Sequence, residues 1–409
     1  MNFITNMFKT LTDEKKPDYS IFFLSSALII ISIIFSYSLS IYTVVYWDYS
    51  QFHFFSRQLF TGVLSILIMW SLSYISPNKL IDYLGWFLLI VFLLLIISMP
   101  FLPASFVTES GGAKRWIRLP GVSLAPIEFF KVGFIYFLAR SFSKHVVHKQ
   151  KNKFLDELIL LYPYAIIFAI VVGLIAVLQK DLGQVVLLGT ILFVMLIFSN
   201  RSWKLFISII SVAIIGVIAL ILQAPHRINR IKSWWSMVQD NILSIMPDSI
   251  ANTLRVENFP EPYQVSNSLN AIHNGGFFGT GLGEGSLKLG FLSEVHTDFV
   301  LAGITEEIGL VGLAFVLAIL FTLIYKIFQI SQKLKKQDTK YHLFTLGIGL
   351  MISIAFLINS YGISGIIPIK GIAVPFLSYG GSSMLGLSIA IGMVLSISRL
   401  VNDEIKPKQ

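Results

Sequence analysis

Apolar runs separated by short polar breaks recur along the chain, each far longer than a strand needs. Ten stand out, at 21–46, 57–76, 80–102, 124–143, 158–178, 184–199, 203–223, 299–328, 342–362 and 378–398. A helix needs about 20 apolar residues to cross a hydrocarbon core, so each run predicts a spanning helix. The fourth is the weakest, because Glu128, Lys131 and Arg140 interrupt it, and the sixth is short. The first run is too long for a signal-peptide core and lacks a small-residue cleavage site, so it reads as an uncleaved span.

Composition narrows the class. Of 409 residues, 55% are hydrophobic and 13% charged, and the mean hydropathy is +0.76. These values exclude a soluble globular chain and predict an all-α, polytopic membrane protein of about ten transmembrane helices. A net charge of +9 could suggest nucleic acid, but in a membrane chain basic residues mark cytoplasmic loops near anionic lipid. No nucleic-acid partner is expected. There is no cysteine, hence no disulfide and no thiol chemistry.

The basic residues assign sides. Lys144, Lys149, Lys151 and Lys153 follow the fourth run, and Arg201 and Lys204 lie between the sixth and seventh. Lys333, Lys335, Lys336 and Lys340 follow the eighth, and Arg399, Lys406 and Lys408 follow the tenth. All share the face of the N-terminus, which the positive-inside rule makes cytoplasmic. The expected organisation is a cytoplasmic tail over 1–20, one transmembrane domain over 21–399 and a cytoplasmic tail over 400–409. A large extracytoplasmic loop covers 224–297. The 103–123 and 363–377 loops lie outside with it.

Several polar groups on that outer face are not needed for topology. Lys114, Arg115 and Arg118 suit phosphate, or equally lipid headgroups or local ion pairs. Glu128 and Lys131 are three apart on one helix face and can pair, either to neutralise each other or to hold a ligand. Ile228, Ile231, Trp235, Val238, Ile242 and Ile245 form an amphipathic stripe for the interface or a partner. The glycines of HNGGFFGTGLGEGSLKLG, 273–290, follow no strand, so a nucleotide loop fails its context. Close backbone approach to a ligand or a helix is the better reading. Thr297 or Asp298 suits a helix cap, and Asp298 also suits a general base. Glu306 and Glu307 read as interhelical hydrogen-bond partners. In SYGGSSM, 378–384, Ser378 suits a cap, and Gly380 and Gly381 suit either an anion site at a helix N-terminus or tight helix packing.

Taken together, GAKRWI at 112–117, KDLG at 180–183, HTDF at 296–299, EEIGLVG at 306–312 and PFLSYGGSS at 375–383 resemble the SEDS family (shape, elongation, division, sporulation). The resemblance covers nearly the whole chain, in order. GTGLGEGSLKLG and Lys370 look more like its division branch than its elongation branch. Some positions depart. The family often has proline at the positions of Ser293 and Lys180, and its Gln-Pro-Ser-Glu is Ala125-Pro126-Ile127-Glu128 here.

The resemblance implies a ten-span inverting glycosyltransferase that polymerises lipid II into peptidoglycan outside the bacterial cytoplasmic membrane, releasing undecaprenyl diphosphate. A class B penicillin-binding protein and other division membrane proteins are the implied partners. Asp298 matches the family's essential aspartate and is the expected general base. Arg57, Arg115, Trp116, Glu128, Lys131, His296, Lys370, Ser378, Gly380 and Gly381 are the expected substrate-binding residues. No cofactor is required, and no His/Asp cluster has the spacing of a divalent-metal site. A lipid-precursor transporter is the alternative reading, and a structural scaffold of the division machinery is a third.

Overall fold

The computed structural model describes residues 16–46, 48–103, 105–110, 113–119, 122–147, 154–198, 202–256, 259–292, 295–369 and 371–401. The helices are α1 (Tyr19–Leu39), α2 (Ile41–Tyr46), α3 (His53–Ser73), α4 (Pro77–Ser98), α5 (Pro126–His145), α6 (Phe154–Val172), α7 (Leu182–Ile197), α8 (Trp203–Leu222), α9 (Pro225–Leu243), α10 (Asp248–Leu254), α11 (Tyr263–Gly275), α12 (Val300–Leu334), α13 (Thr339–Ile363) and α14 (Gly381–Ser398). Local chemistry sets several starts. Asp18, Asp181 and Asp338 accept from the first-turn amides of Ser20, Gln184 and Tyr341. Proline opens α4, α5 and α9, where its missing N–H has no intrahelical partner to lose.

Eight helices are long and apolar enough to cross a membrane: α1, α3, α4, α6 with its continuation, α8, α12, α13 and α14. The other two expected spans are α5, which is charged, and α7, which has 16 residues. Both lie inside the bundle. Phe130, Phe134, Tyr136 and Phe142 of α5 are fully buried against α4, α13 and α14, so its polar groups meet protein rather than lipid. At the other extreme, only Leu205 and Phe206 of α8 are buried.

Two features were not expected. The 103–123 region folds into a three-stranded antiparallel sheet in the order β1 (Val107–Ser110), β2 (Ala113–Leu119), β3 (Val122–Leu124). Val107 pairs with Ile117 and Ile117 with Leu124, with a bulge between Thr108 and Glu109. Helix α6 also ends in a π-helical turn, Gly173–Leu178, that leads into α7.

Helix α12 breaks at Gly309, whose φ of 70° and ψ of −178° need glycine. The glycine-rich loop repairs the break. Thr280 N and Gly281 N donate to Glu306 O and Glu307 O at 2.9 and 3.0 Å, and Leu310 N and Val311 N donate to Gly276 O and Phe277 O at 2.9 and 3.1 Å. The close approach read from the glycines is therefore to a helix, as the low-dielectric interior requires of freed backbone groups. Both acids of this turn are fully buried and hydrogen-bonded. Glu306 Oε1 accepts from Ser286 N, Leu287 N and Asn274 Nδ2, and Glu307 accepts from Ser38 Oγ and Lys288 Nζ.

At the opposite end of the bundle from the sheet, Asp82 Oδ1 receives Arg140 at 2.9 Å and Lys340 at 3.1 Å, and the Tyr136 hydroxyl at 2.9 Å. One carboxylate thus ties α4, α5 and α13 together, and the charge of Arg140 in the fourth run is accounted for.

Candidate active site

A cavity of about 900 Å³ opens at the sheet end of the bundle, bounded by β2, the starts of α5, α7 and α14, the turn before α12, and α9. Asp298 lines it. Phe299, not Thr297 or Asp298, occupies the cap position of α12 and makes no side-chain cap bond. The helix-cap reading of Asp298 therefore does not describe the fold.

The backbone around Asp298 is clamped from two sides. Asn359 Nδ2 on α13 donates to Asp298 O at 2.6 Å and to Ile372 O at 2.8 Å. Ser378 Oγ donates to Thr297 O at 2.6 Å and accepts from Val374 N at 2.8 Å. Gly371, at φ 61°, closes in so far that a Cβ there would lie 3.0 Å from Asp298 Oδ2. Asn359 was not legible as a positioning group, because only the tertiary fold brings it to residue 298.

Arg57, Arg115, Trp116, Glu128, Gly380 and Gly381 line the same cavity as Asp298. Arg57 and Tyr379 line the cavity together, with the Arg57 charge acting on the Tyr379 hydroxyl. Glu128 and Lys131 do pair, at 2.9 Å, with both side chains mostly buried. Lys131 lies behind the wall, on a void of about 20 Å³ shared with Glu128 and Gln184.

Other expected residues sit elsewhere. Ser378 is buried, bonds main chain, and does not cap α14, whose cap is Gly380. The Gly380 amide donates to Gln58 Oε1 at 3.3 Å, so it is engaged by protein. His296 is also behind the wall, packed against the rings of Phe54 and Tyr379 at 5.0 and 5.5 Å. Burial pushes its imidazole down to about 4, so the ring is neutral at pH 7. Lys370 lies outside the described residues, as do Gly112 of the GAKRWI stretch and Ser293.

The basic residues of the 103–123 loop divide. Lys114 Nζ donates to Pro100 O and Leu102 O, which makes it a structural group, and Arg118 does not line the cavity. Arg115 uses its planar fork on backbone: Nε donates to Gln179 O at 3.0 Å and Nη2 to Lys180 O at 2.9 Å. It thereby fixes the α6–α7 turn, with Asp181 4.0 Å away. Burial raises the Asp181 carboxyl above the usual carboxylate range, opposed by the Arg115 charge. Lys180 sits at φ 51°, which a proline ring cannot adopt, so the turn differs in backbone from one built on the proline often found in the family.

Helix α9 adds cations that the apolar stripe concealed. Its only buried residues are Gln239 and Leu243, and it is tied down by Trp234 Nε1 to Gly365 O at 2.7 Å. Arg227 donates to Leu220 O and Ala176 O, and Arg230 to Ile369 O at 3.3 Å. His226, Arg227 and Arg230 all line the cavity. The result is a water-accessible chamber with an excess of positive charge and a carboxylate, Asp298, on its wall. Such a chamber suits an anionic substrate undergoing proton abstraction.

Known proteins share this architecture. The family model describing cell cycle proteins of the FtsW/RodA/SpoVE type matches residues 18–403. A probable peptidoglycan glycosyltransferase FtsW from Helicobacter pylori (strain ATCC 700392 / 26695) is 52% identical over 384 residues, covering 93% of this chain and 98% of the relative. One of the same description from Bacillus subtilis (strain 168) is 34% identical over 403 residues, covering 95% and 92%. Among solved structures, a chain from work on structural coordination of polymerization and crosslinking by a peptidoglycan synthase complex has a TM-score of 0.70 at 21% identity, covering 95% of this chain and 99% of that one. The rod shape determining protein RodA of Thermus thermophilus has a TM-score of 0.61 at 21% identity, covering 95% and 98%. With this match along nearly its full length, the chain belongs to the FtsW/RodA/SpoVE family of multi-pass membrane proteins, the SEDS family that its five motifs resemble.

Proposed function

We propose that the chain is a peptidoglycan glycosyltransferase that polymerises lipid II on the outer face of a bacterial cytoplasmic membrane, at the division septum. The observation that carries this reading is Asp298 on the wall of a cavity rich in cations. The FtsW descriptions of its curated relatives support the division role over elongation. The RodA likeness speaks to fold alone.

In this reading both termini are cytoplasmic and the cavity opens to the outside, where no ATP is available. The energy comes from the substrate, whose sugar is already linked to diphosphate. Asp298 takes the proton from the acceptor 4-hydroxyl as its oxygen attacks C1 of the donor sugar. The new C1–O bond forms as the C1–O bond to diphosphate breaks, and undecaprenyl diphosphate leaves with the bonding electrons. A single displacement inverts C1, so an α-linked donor gives a β-linked polymer. Arg57 and the first turn of α14 stabilise the departing charge. Glu128 orients Lys131 behind that wall. A class B penicillin-binding protein is the expected partner for crosslinking, in keeping with the fold neighbour's origin in a synthase complex.

Purified protein incubated with lipid II, with and without that partner, tests the reading by gel separation of glycan products. Long glycan strands are expected. Intact lipid II carried across vesicles without polymer would instead establish the transporter.

Arg115 gives a second check. Arg115→Lys keeps the charge but loses the fork that grips two carbonyls. Polymerisation is expected to fall at least about tenfold, since misplacing a site wall by about 1 Å is costly. Activity equal to wild type would mean that charge alone is needed at this position.

A further inference from the structure

Three basic side chains at the cavity are not explained by the departing diphosphate. Lys180 comes from the turn between α6 and α7, and His226 and Arg230 come from α9. All three are exposed, and none forms an ion pair among the described residues. Lys180 Nζ and the His226 ring have no hydrogen bond there either. His226 and Arg230 lie one helical turn apart on α9, and Arg227 between them reaches Ala176 O at 2.9 Å, four residues before Lys180. Desolvation and the charges of Arg227, Arg230 and Lys180 hold the His226 imidazole below its ordinary range. Asp181 is the one carboxylate beside them in the α6–α7 turn, and it faces Arg115 at 4.0 Å. The remaining excess of like charge is unfavourable in the empty protein, and an arriving anion relieves it. The turn that presents Lys180 is also held deliberately. Arg115 grips the carbonyls on both sides of it while the lysine backbone stays in the left-handed region at φ 51°.

The reaction itself calls for a second anion. Resting on the glycosyl-transfer reading, two lipid-linked sugars occupy the cavity together. The donor's diphosphate departs, while the acceptor's stays attached. Arg57, Tyr379 and the start of α14 belong to α3 and to α14 with the residues just before it, two helices that pack on each other, and not to the α6–α7 turn or α9. We propose that Lys180, His226 and Arg230 form a second anion subsite, which holds the diphosphate of the acceptor chain while that of the donor leaves at the Arg57 wall. His226 contributes as a neutral hydrogen-bond donor, and Lys180 and Arg230 contribute charge.

Because this subsite grips a group that does not change in the reaction, its removal weakens binding without slowing chemistry. Initial polymerisation rates against lipid II concentration test this in the full-length protein. Lys180→Gly removes the ammonium while suiting the left-handed backbone, so the turn is not at risk. Lys180→Gly and His226→Gln are each expected to raise KM about tenfold with kcat within about twofold, and Lys180→Arg to remain near wild type. Equal thermal unfolding of the variants and wild type confirms that the fold is unchanged. Lipid II lacking its stem peptide distinguishes the source of the anion. The same rise in KM with that substrate supports diphosphate; a rise that disappears points to peptide carboxylates and overturns the assignment. Unchanged KM in both variants, or a fall in kcat alone, also overturns it. Wild-type protein that forms no glycan at all defeats the underlying function instead.

Discussion

Asp298→Asn is expected to abolish glycan formation while the protein still folds and inserts. The amide keeps the size and polarity of the carboxylate but cannot accept the proton of the attacking hydroxyl. General-base catalysis is worth about 10²–10⁴-fold, and a loss of that size is expected in kcat, with KM little changed. The fold has good reason to survive. The clamps that set this turn use main chain, with Asn359 on the carbonyl of residue 298 and Ser378 on that of residue 297. Replacing the side chain leaves both in place. Asp298→Glu displaces the carboxylate by one methylene, and a misplacement of about 1 Å at a reacting group can cost about 10²-fold. It therefore retains only a small fraction of activity. Turnover of purified lipid II by Asp298→Asn at near the wild-type rate would remove this residue from the chemistry.

The second large effect is on stability. Lys288 and Glu307 pair at 2.6 Å with side chains 1% and 0% exposed, and Ser38 from α1 hydrogen-bonds the same carboxylate. The pair fastens the glycine-rich loop to the broken turn of α12. Removing one member of such a pair leaves an uncompensated buried charge, at a cost of about 3–5 kcal/mol. Lys288→Met is expected to lower thermal stability in detergent by that amount and to reduce the level of protein in membranes. Lys288→Met combined with Glu307→Leu removes both charges at similar volume and recovers most of the loss. If the double variant were less stable than Lys288→Met alone, the ion pair would not be the source of the penalty.

Much of the fold was legible because the bilayer permits few solutions. Each long apolar run became a helix, and the two awkward ones were awkward for identifiable reasons. Helix α5 carries Glu128, Lys131 and Arg140 because it is enclosed by other helices, and α7 is short because Asp181 caps it below a π-helical turn. The small sheet was missed although β2 gives a hint: Lys114, Trp116 and Arg118 alternate with Arg115 and Ile117, just after the dipeptide Gly111–Gly112. Its charges drew attention away from its period.

The site was legible only where sequence motifs pointed. Asp298 and its cationic neighbours fell into one cavity. His296 and Ser378, drawn from the same motifs, became parts of the supporting wall, because short motifs record packing as well as chemistry. Arg227 and Arg230 adjoin the apolar stripe of α9 in the sequence, but a stripe does not say what lies beneath it. Asn359 and the grip of Arg115 on the α6–α7 turn join segments more than 60 residues apart, which periodicity cannot reveal.

On the proposed function, the chamber around Asp298 faces the outside of the cell, where lipid-linked sugar awaits polymerisation. The chain contains no cysteine, so single introduced thiols report sidedness without background. Lys232→Cys on α9 and Lys336→Cys after α12 are both exposed positions. In intact cells stripped of their outer envelope, a membrane-impermeant maleimide is predicted to label Lys232→Cys at once and Lys336→Cys only after lysis. Labelling in the reverse order would put the chamber in the cytosol and contradict the account.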